Sequence, residues 1–234
     1  MQKNLAIALD HVSFSFTKNG PLFFDNISVQ FMPGSLNFIQ GKNGVGKSTF
    51  LRIMCGQGAE YGYVSGKIII NDISYDVEKS NFAHHIACVG QNYNKMLIDN
   101  YSFIENVQCA LMPRFPMLSQ LPKIKTFPNF LKKYDINTGI AISQLSGGQR
   151  QILSIVMNLQ RLPVILLLDE PIAALDEENT DMIMHFLKDL CEREKITIIL
   201  IIHNFEVVKR YGNGKYFEIK KDDIGKRNIV LQSF

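Results

Sequence analysis

Residues 36–49 read Leu36-Asn37-Phe38-Ile39-Gln40-Gly41-Lys42-Asn43-Gly44-Val45-Gly46-Lys47-Ser48-Thr49. A short apolar strand runs straight into a glycine loop, and from Lys47 to Cys55 the pattern turns helical. Gly41 to Ser48 fits G-x-x-x-x-G-K-[ST], in the strand–loop–helix setting that this motif requires. Its glycines let backbone N–H groups wrap a phosphate, and the helix N-terminus adds partial positive charge. Lys47 is placed to reach the β- and γ-phosphates of a nucleotide, and the Ser48 hydroxyl to ligate Mg²⁺. Asn43, Gly44, Gly46 and Thr49 complete the expected cradle.

Downstream, Val164-Ile165-Leu166-Leu167-Leu168-Asp169-Glu170 is a buried strand with two carboxylates at its C-terminal end. Ligands of open α/β sheets sit at that end of the strands. The expected roles are Asp169 as a Mg²⁺ ligand and Glu170 as general base for an attacking water. Between the two motifs lies Leu145-Ser146-Gly147-Gly148-Gln149, ahead of a helix through Ile152, Ile155, Val156 and Leu159. Ser146 is suited to cap that helix, with Gly147 and Gly148 exposing N–H groups as a second anion site.

Around these motifs the chain reads as three regions. Val12 to Phe16 and Ile27 to Phe31 alternate apolar and polar residues and are separated by Asn19-Gly20-Pro21, as in antiparallel strands with one wet face. Gly66 to Asn71 adds another strand, and Ile86 to Val89 a buried one. Residues 92–155 carry helical pieces at Ser102 to Met112, Asn129 to Tyr134 and Gln149 to Gln160, separated by Pro113, Pro116, Pro122 and Pro128. A strand–helix rhythm then follows (164–168, 177–193, 196–202, 204–211), which implies a parallel sheet covered on both faces.

The 234 residues suffice for one large domain, and 46% hydrophobic content is ordinary for a globular chain. A net charge of +3 is too mild to imply a nucleic-acid partner. Cys55, Cys88, Cys109 and Cys191 are scattered and form no Cys-x-x-Cys pair, so neither a disulfide framework nor a zinc site is expected, and a reducing cytosol is the natural compartment. The N-terminus has no signal-peptide pattern, and no apolar run nears the ~20 residues that span a bilayer. Any membrane link is expected to go through a partner.

The glycine loop, Leu145 to Gln149 and Asp169-Glu170, in that order, resemble the ATPase subunit of an ABC (ATP-binding cassette) transporter from Leu9 to about Ile219. The resemblance implies an α/β P-loop NTPase of ABC type: a mainly parallel core sheet, an N-terminal antiparallel β subdomain and an inserted helical subdomain. One domain over 1–234 is expected, with 1–91 and 156–234 forming the core and β parts and 92–155 the helical part. ATP and Mg²⁺ are the implied substrate and cofactor. Glu170, His203, Lys47 and Gln91 are the implied catalytic groups, and Ser48, Gln91 and Asp169 the metal ligands. Phe16 stands where relatives place a tyrosine on adenine; stacking needs only the ring face. Ser146, Gly147, Gly148 and Gln149 are implied to act in trans, covering the nucleotide held by a second copy in a head-to-tail dimer, with Ala174-Leu175-Asp176 touching that copy.

The series ends with His203-Asn204 and Tyr211-Gly212-Asn213 and looks most like importer ATPases of the tryptophan/tyrosine type. Ile172 and Ala173 replace the Thr-Ser of many relatives, and Asn204 an acid. The expected function is ATP-driven import of a small nutrient such as an amino acid, at the cytoplasmic face. Transmembrane permease subunits docked over Tyr101 to Phe130 are the expected partners, and a substrate-binding protein is a further one. A lipid or lipoprotein exporter ATPase and a soluble non-transport ABC ATPase are the alternatives.

Overall fold

The computed structural model describes residues 6–112, 124, 131–212, 214–222 and 225–232. The first two residues of the expected helical piece Asn129 to Tyr134, and most of the docking stretch Tyr101 to Phe130, lie outside these residues.

Two sheets organise the described residues. The first is antiparallel, in the order β2 (Phe24–Phe31), β1 (Ile7–Ser15), β4 (Tyr63–Ile70), β5 (Ile73–Asp76). The second has the order β10 (Arg227–Gln232), β9 (Tyr216–Lys221), β3 (Leu36–Gln40), β8 (Thr197–Ile201), β7 (Ile165–Asp169), β6 (Ile86–Val89). Its pairs from β9 to β6 are parallel, and β10 closes the edge antiparallel to β9. Helices among the described residues include α1 (Lys47–Met54), the single turn α2 (Gly58–Tyr61), α3 (Phe103–Leu111), α4 (Gly147–Leu159), α5 (Glu177–Glu194) and α6 (Phe205–Tyr211).

The uniformly apolar core strands have a simple cause. Successive side chains of a strand point to opposite faces, and here each face meets its own apolar cluster. Leu36, Phe38, Leu166, Leu168, Ile198 and Leu200 face one with α4 and α5. Ile39, Ile165, Leu167, Ile199 and Ile201 face the other, with α1 and the antiparallel sheet. Asn37, fully buried, is satisfied by donating to the Ile198 carbonyl (3.1 Å) and accepting from the Lys215 N–H (2.9 Å), which ties β3 to both flanking segments.

Parallel register sets where the strands end. Val89 lies opposite Leu168 and Asp169 opposite Ile201, so β6, β7 and β8 finish at one edge beside the loop leaving β3. The expectation of no disulfide is corrected. Cys55, capping the C-terminus of α1, is joined by a disulfide to Cys88 of β6, with Cα atoms 6.6 Å apart. Packing α1 on the face of the sheet reached by Cys88 brings together residues 33 positions apart.

Candidate active site

The loop's glycines carry the turn. Gly44 and Gly46 have φ of 74° and 113°, in the region costly for any residue with a Cβ. At Gly46 a Cβ would also lie 2.5 Å from the Phe23 ring. α1 therefore starts directly at Lys47, which is 7% exposed and turns its ammonium back to donate to the carbonyls of Gly41 (2.9 Å) and Lys42 (3.3 Å). Burial pushes that ammonium below its ordinary pKa, against the opposing pull of the Glu170 and Asp169 carboxylates.

Three strand ends converge on Glu170. From just beyond β8, His203 Nε2–H donates to Glu170 Oε1 at 2.7 Å. From beyond β6, the Gln91 side-chain amide donates to Glu170 Oε2 at 3.4 Å. Glu170 has φ of 53°, a left-handed conformation that costs a non-glycine residue about 1–2 kcal/mol. Strain of that kind concentrates where a side chain must be aimed. Beside it, burial lifts the Asp169 carboxyl above its ordinary pKa; a hydrogen bond from Ser48 opposes this, the Glu170 charge adds to it, and Lys47 and Arg52 pull downward.

Two clefts share Ser48. One, of about 420 Å³, is lined by Phe16, Phe23, Asn43, Gly44, Gly46, Lys47, Ser48, Thr49 and Glu170. The other, of about 490 Å³, brings Ser48, Gln91 and Asp169 together with Arg52. A hydroxyl, an amide carbonyl and a carboxylate are hard oxygen donors, and a single carboxylate leaves room for waters and phosphate oxygens, as Mg²⁺ prefers. The raised Asp169 pKa marks a place where a cation would relieve buried negative charge, so the residues fit the ion. Phe16 is 51% exposed, and its ring meets Phe14 and Phe23 in T-shaped contacts at 5.0 Å and 4.8 Å. Gly41 lies at the rear of the loop, where a Cβ would stand 2.7 Å from the Ile219 carbonyl oxygen.

Ser146, Gly147, Gly148 and Gln149 line neither cleft. They start α4 through a capping box in which the Ser146 hydroxyl accepts from the Gln149 N–H (3.2 Å) and Gln149 Oε1 accepts from the Ser146 N–H (3.1 Å). The expected pair of exposed glycine N–H groups is corrected for Gly148. Its N–H donates to Asn179 Oδ1 (3.2 Å), which also accepts from the Ser146 hydroxyl (2.9 Å). Asn179 sits in the first turn of α5, where Asp176, the N-cap, orients it. No local pattern in the sequence announces this contact, nor the part that Phe23 and Arg52 take in lining the clefts.

A phosphate cradle with a buried lysine, facing two carboxylates at the carboxyl edge of a parallel sheet, defines a nucleoside-triphosphate hydrolase. The family model described as ABC transporter matches residues 24–173, and the chain belongs to that family. It is an ATPase.

The relatives agree. The chain is 32% identical over 226 residues to the phosphonates import ATP-binding protein PhnC of Fusobacterium nucleatum subsp. nucleatum, covering 86% of this chain and 90% of that protein. It is 29% identical over 216 residues to the methionine import ATP-binding protein MetN 2 of Rhodopseudomonas palustris, covering 89% of this chain and 55% of that longer protein. Among solved structures, cbiO1 from Clostridium perfringens superposes with a TM-score of 0.77 at 24% identity, covering 97% of this chain and 88% of that one. A dimeric ATP-binding cassette bound to ADP and Pi superposes at 0.67 and 23% identity, over 97% of this chain and all of that one. At those identities the superpositions speak for the fold.

Proposed function

We propose that the chain is the ATP-hydrolysing subunit of an importer, working as a head-to-tail dimer on the cytoplasmic side of transmembrane permease subunits. The observation that carries this reading is the meeting of Gln91, Glu170 and His203 from three neighbouring strands, beside Lys47, Ser48 and Asp169. The names of the phosphonate and methionine relatives support import of a small polar nutrient. Within that class, an amino acid of the tryptophan/tyrosine type rests on motif context alone.

In this mechanism the N–H groups from Asn43 to Thr49 cradle the phosphates, with Gly41 setting the turn. Lys47 exchanges the Gly41 and Lys42 carbonyls for phosphate oxygens, and the purine rests on Phe16. Ser48, Gln91 and Asp169 would hold Mg²⁺, which would supply charge neutralisation at the phosphates. Glu170 takes the proton of the attacking water, and His203, oriented by Glu170, donates toward the γ-phosphate. Ser146 and Gly148 of the opposing copy exchange Asn179 for phosphate oxygens, with Gly147 and Gln149 beside them, and Ala174 to Asp176 lie along the dimer seam. We take 92–155 as the helical subdomain facing the permease, and 1–91 with 156–234 as the rest of the single domain. A substrate-binding protein supplies the nutrient.

The test is complementation between dead subunits. Lys47→Ala alone is expected to lower ATPase activity by about a hundredfold or more, the loss of a transition-state charge contact. Mixing it with Ser146→Arg subunits places both lesions on one site and restores the other. Near wild-type turnover by Lys47→Ala sinks the site, and a mixture of demonstrated heterodimers that stays inactive sinks the shared arrangement.

A further inference from the structure

The phosphate loop is a wall between two clefts. Gly46 and Lys47 face the cleft shared with Phe16 and Glu170. Val45 faces a cleft of about 490 Å³ on the other side, formed with the β9–β10 hairpin and containing Arg227. Arg227 opens β10, and its side chain makes three contacts. Its Nε–H donates to the Val45 carbonyl (3.0 Å), its Nη1 donates to the Gly225 carbonyl (3.3 Å), and its guanidinium lies over the Phe23 ring at 3.6 Å from the centroid. Its neighbour Lys226 pairs with Asp25 at 2.8 Å, which fastens the hairpin to the start of β2.

Two of these contacts, to Val45 and Phe23, bear on the nucleotide side of the wall. A trans peptide points its C=O and N–H in opposite directions. Holding the Val45 carbonyl from behind therefore keeps the Gly46 N–H turned toward the phosphate cleft. Phe23, pressed by Arg227 on one side, packs against Gly46 and edge-on against Phe16 at 4.8 Å. One side chain thus braces the cradle and the aromatic group beneath the purine. Arginine suits this task because its planar fork donates and stacks at once, where lysine offers a point charge.

We propose that Arg227 is a positioning residue for ATP, fixing the Val45–Gly46 peptide and, through Phe23, the Phe16 ring from the rear of the phosphate loop. This rests on the nucleotide reading given above. The experiment measures MgATP and inorganic tripolyphosphate affinity, and steady-state ATPase, for wild type, Arg227→Met, Arg227→Lys, Phe23→Leu and the Arg227→Met/Phe23→Leu pair.

Arg227→Met is expected to raise Kd for both ligands and KM for ATP by about tenfold, with little change in kcat. Phe23→Leu weakens ATP and leaves tripolyphosphate within about twofold, because it acts on the purine side. Arg227→Lys, which keeps a cation over the ring, recovers part of the ATP affinity. In the double variant the two ATP losses fall short of their product, since both act through Phe23.

An Arg227→Met protein that binds ATP within about twofold of wild type overturns the proposal, as does one that loses kcat at unchanged KM. Multiplicative losses in the double variant overturn the link through Phe23. Failure of the wild-type chain to bind ATP would instead overturn the nucleotide reading itself.

Discussion

Replacing Glu170 with glutamine keeps the volume and shape of the side chain and removes its basicity. The backbone is indifferent to the change, because φ of 53° strains glutamate and glutamine alike. The hydrogen bonds are less indifferent. The carboxylate accepts from both His203 (2.7 Å) and Gln91 (3.4 Å), whereas an amide presents one oxygen and one NH₂. The oxygen is expected to stay with His203, at the shorter contact, so the Gln91 amide meets a donor and turns away. That local loss is small, because the group is partly exposed and the bond long. The chemical loss is large: a positioned general base contributes about 10²–10⁴ in rate, equivalent to about 2.7–5.4 kcal/mol of barrier.

Two measurements follow. Phosphate release should fall by about a hundred- to ten-thousandfold, while ATP affinity stays within about threefold, since no phosphate contact is removed. ATP bridging two subunits then persists, and mass action favours the dimer for as long as it does. Light scattering with ATP, ADP and no nucleotide should therefore show a lasting ATP-dependent dimer for Glu170→Gln and a transient one for wild type. Hydrolysis within about tenfold of wild type would refute the assignment of Glu170 as base. A variant that stays monomeric at saturating ATP, with permease present, would refute the shared-site arrangement.

The Cys55–Cys88 bridge closes a loop with a sequence separation of 33, for which chain entropy predicts about 3–4 kcal/mol of stabilisation. Cys88→Ser or reductant should lower the urea midpoint accordingly, and alkylation of both thiols without reductant would contradict the bridge. Cys191, whose burial pushes its thiol pKa up to about 12, should resist alkylation until the chain unfolds. Asp169 should show the conflict between site and stability. Burial raises its folded pKa, so its favourable share of stability is complete only below the unfolded value and is lost as pH rises through the raised one. At neutral pH without Mg²⁺ or nucleotide, Asp169→Asn should melt higher than wild type, the gain vanishing toward pH ~4, while ATPase activity collapses. A lower melting temperature at neutral pH would contradict this account.

What could be read from the chain and what could not divide along sequence distance. Gly41 to Ser48 is a contiguous device: strand, turn and helix follow one another without a break from Leu36 to Met54, and each glycine's role follows from local backbone geometry. The run ending in Asp169-Glu170 is equally self-announcing, because a strand buried on both faces has no polar residue until it ends. Groups whose work is done at a distance leave no such trace. Arg227 reaches Val45 across 182 positions, Asn179 reaches Ser146 across 33, and Cys55 meets Cys88 only once α1 packs on the sheet. β5 leaves no trace in the sequence for a related reason: Ile73, Ser74 and Asp76 are exposed on an edge strand with no apolar face to declare a period. Local motifs single out the atoms that the proposed mechanism brings to the phosphate. The contacts that hold those atoms still are chosen by tertiary packing, so Arg227 and Asn179 are the residues whose substitution would change the site without touching any motif.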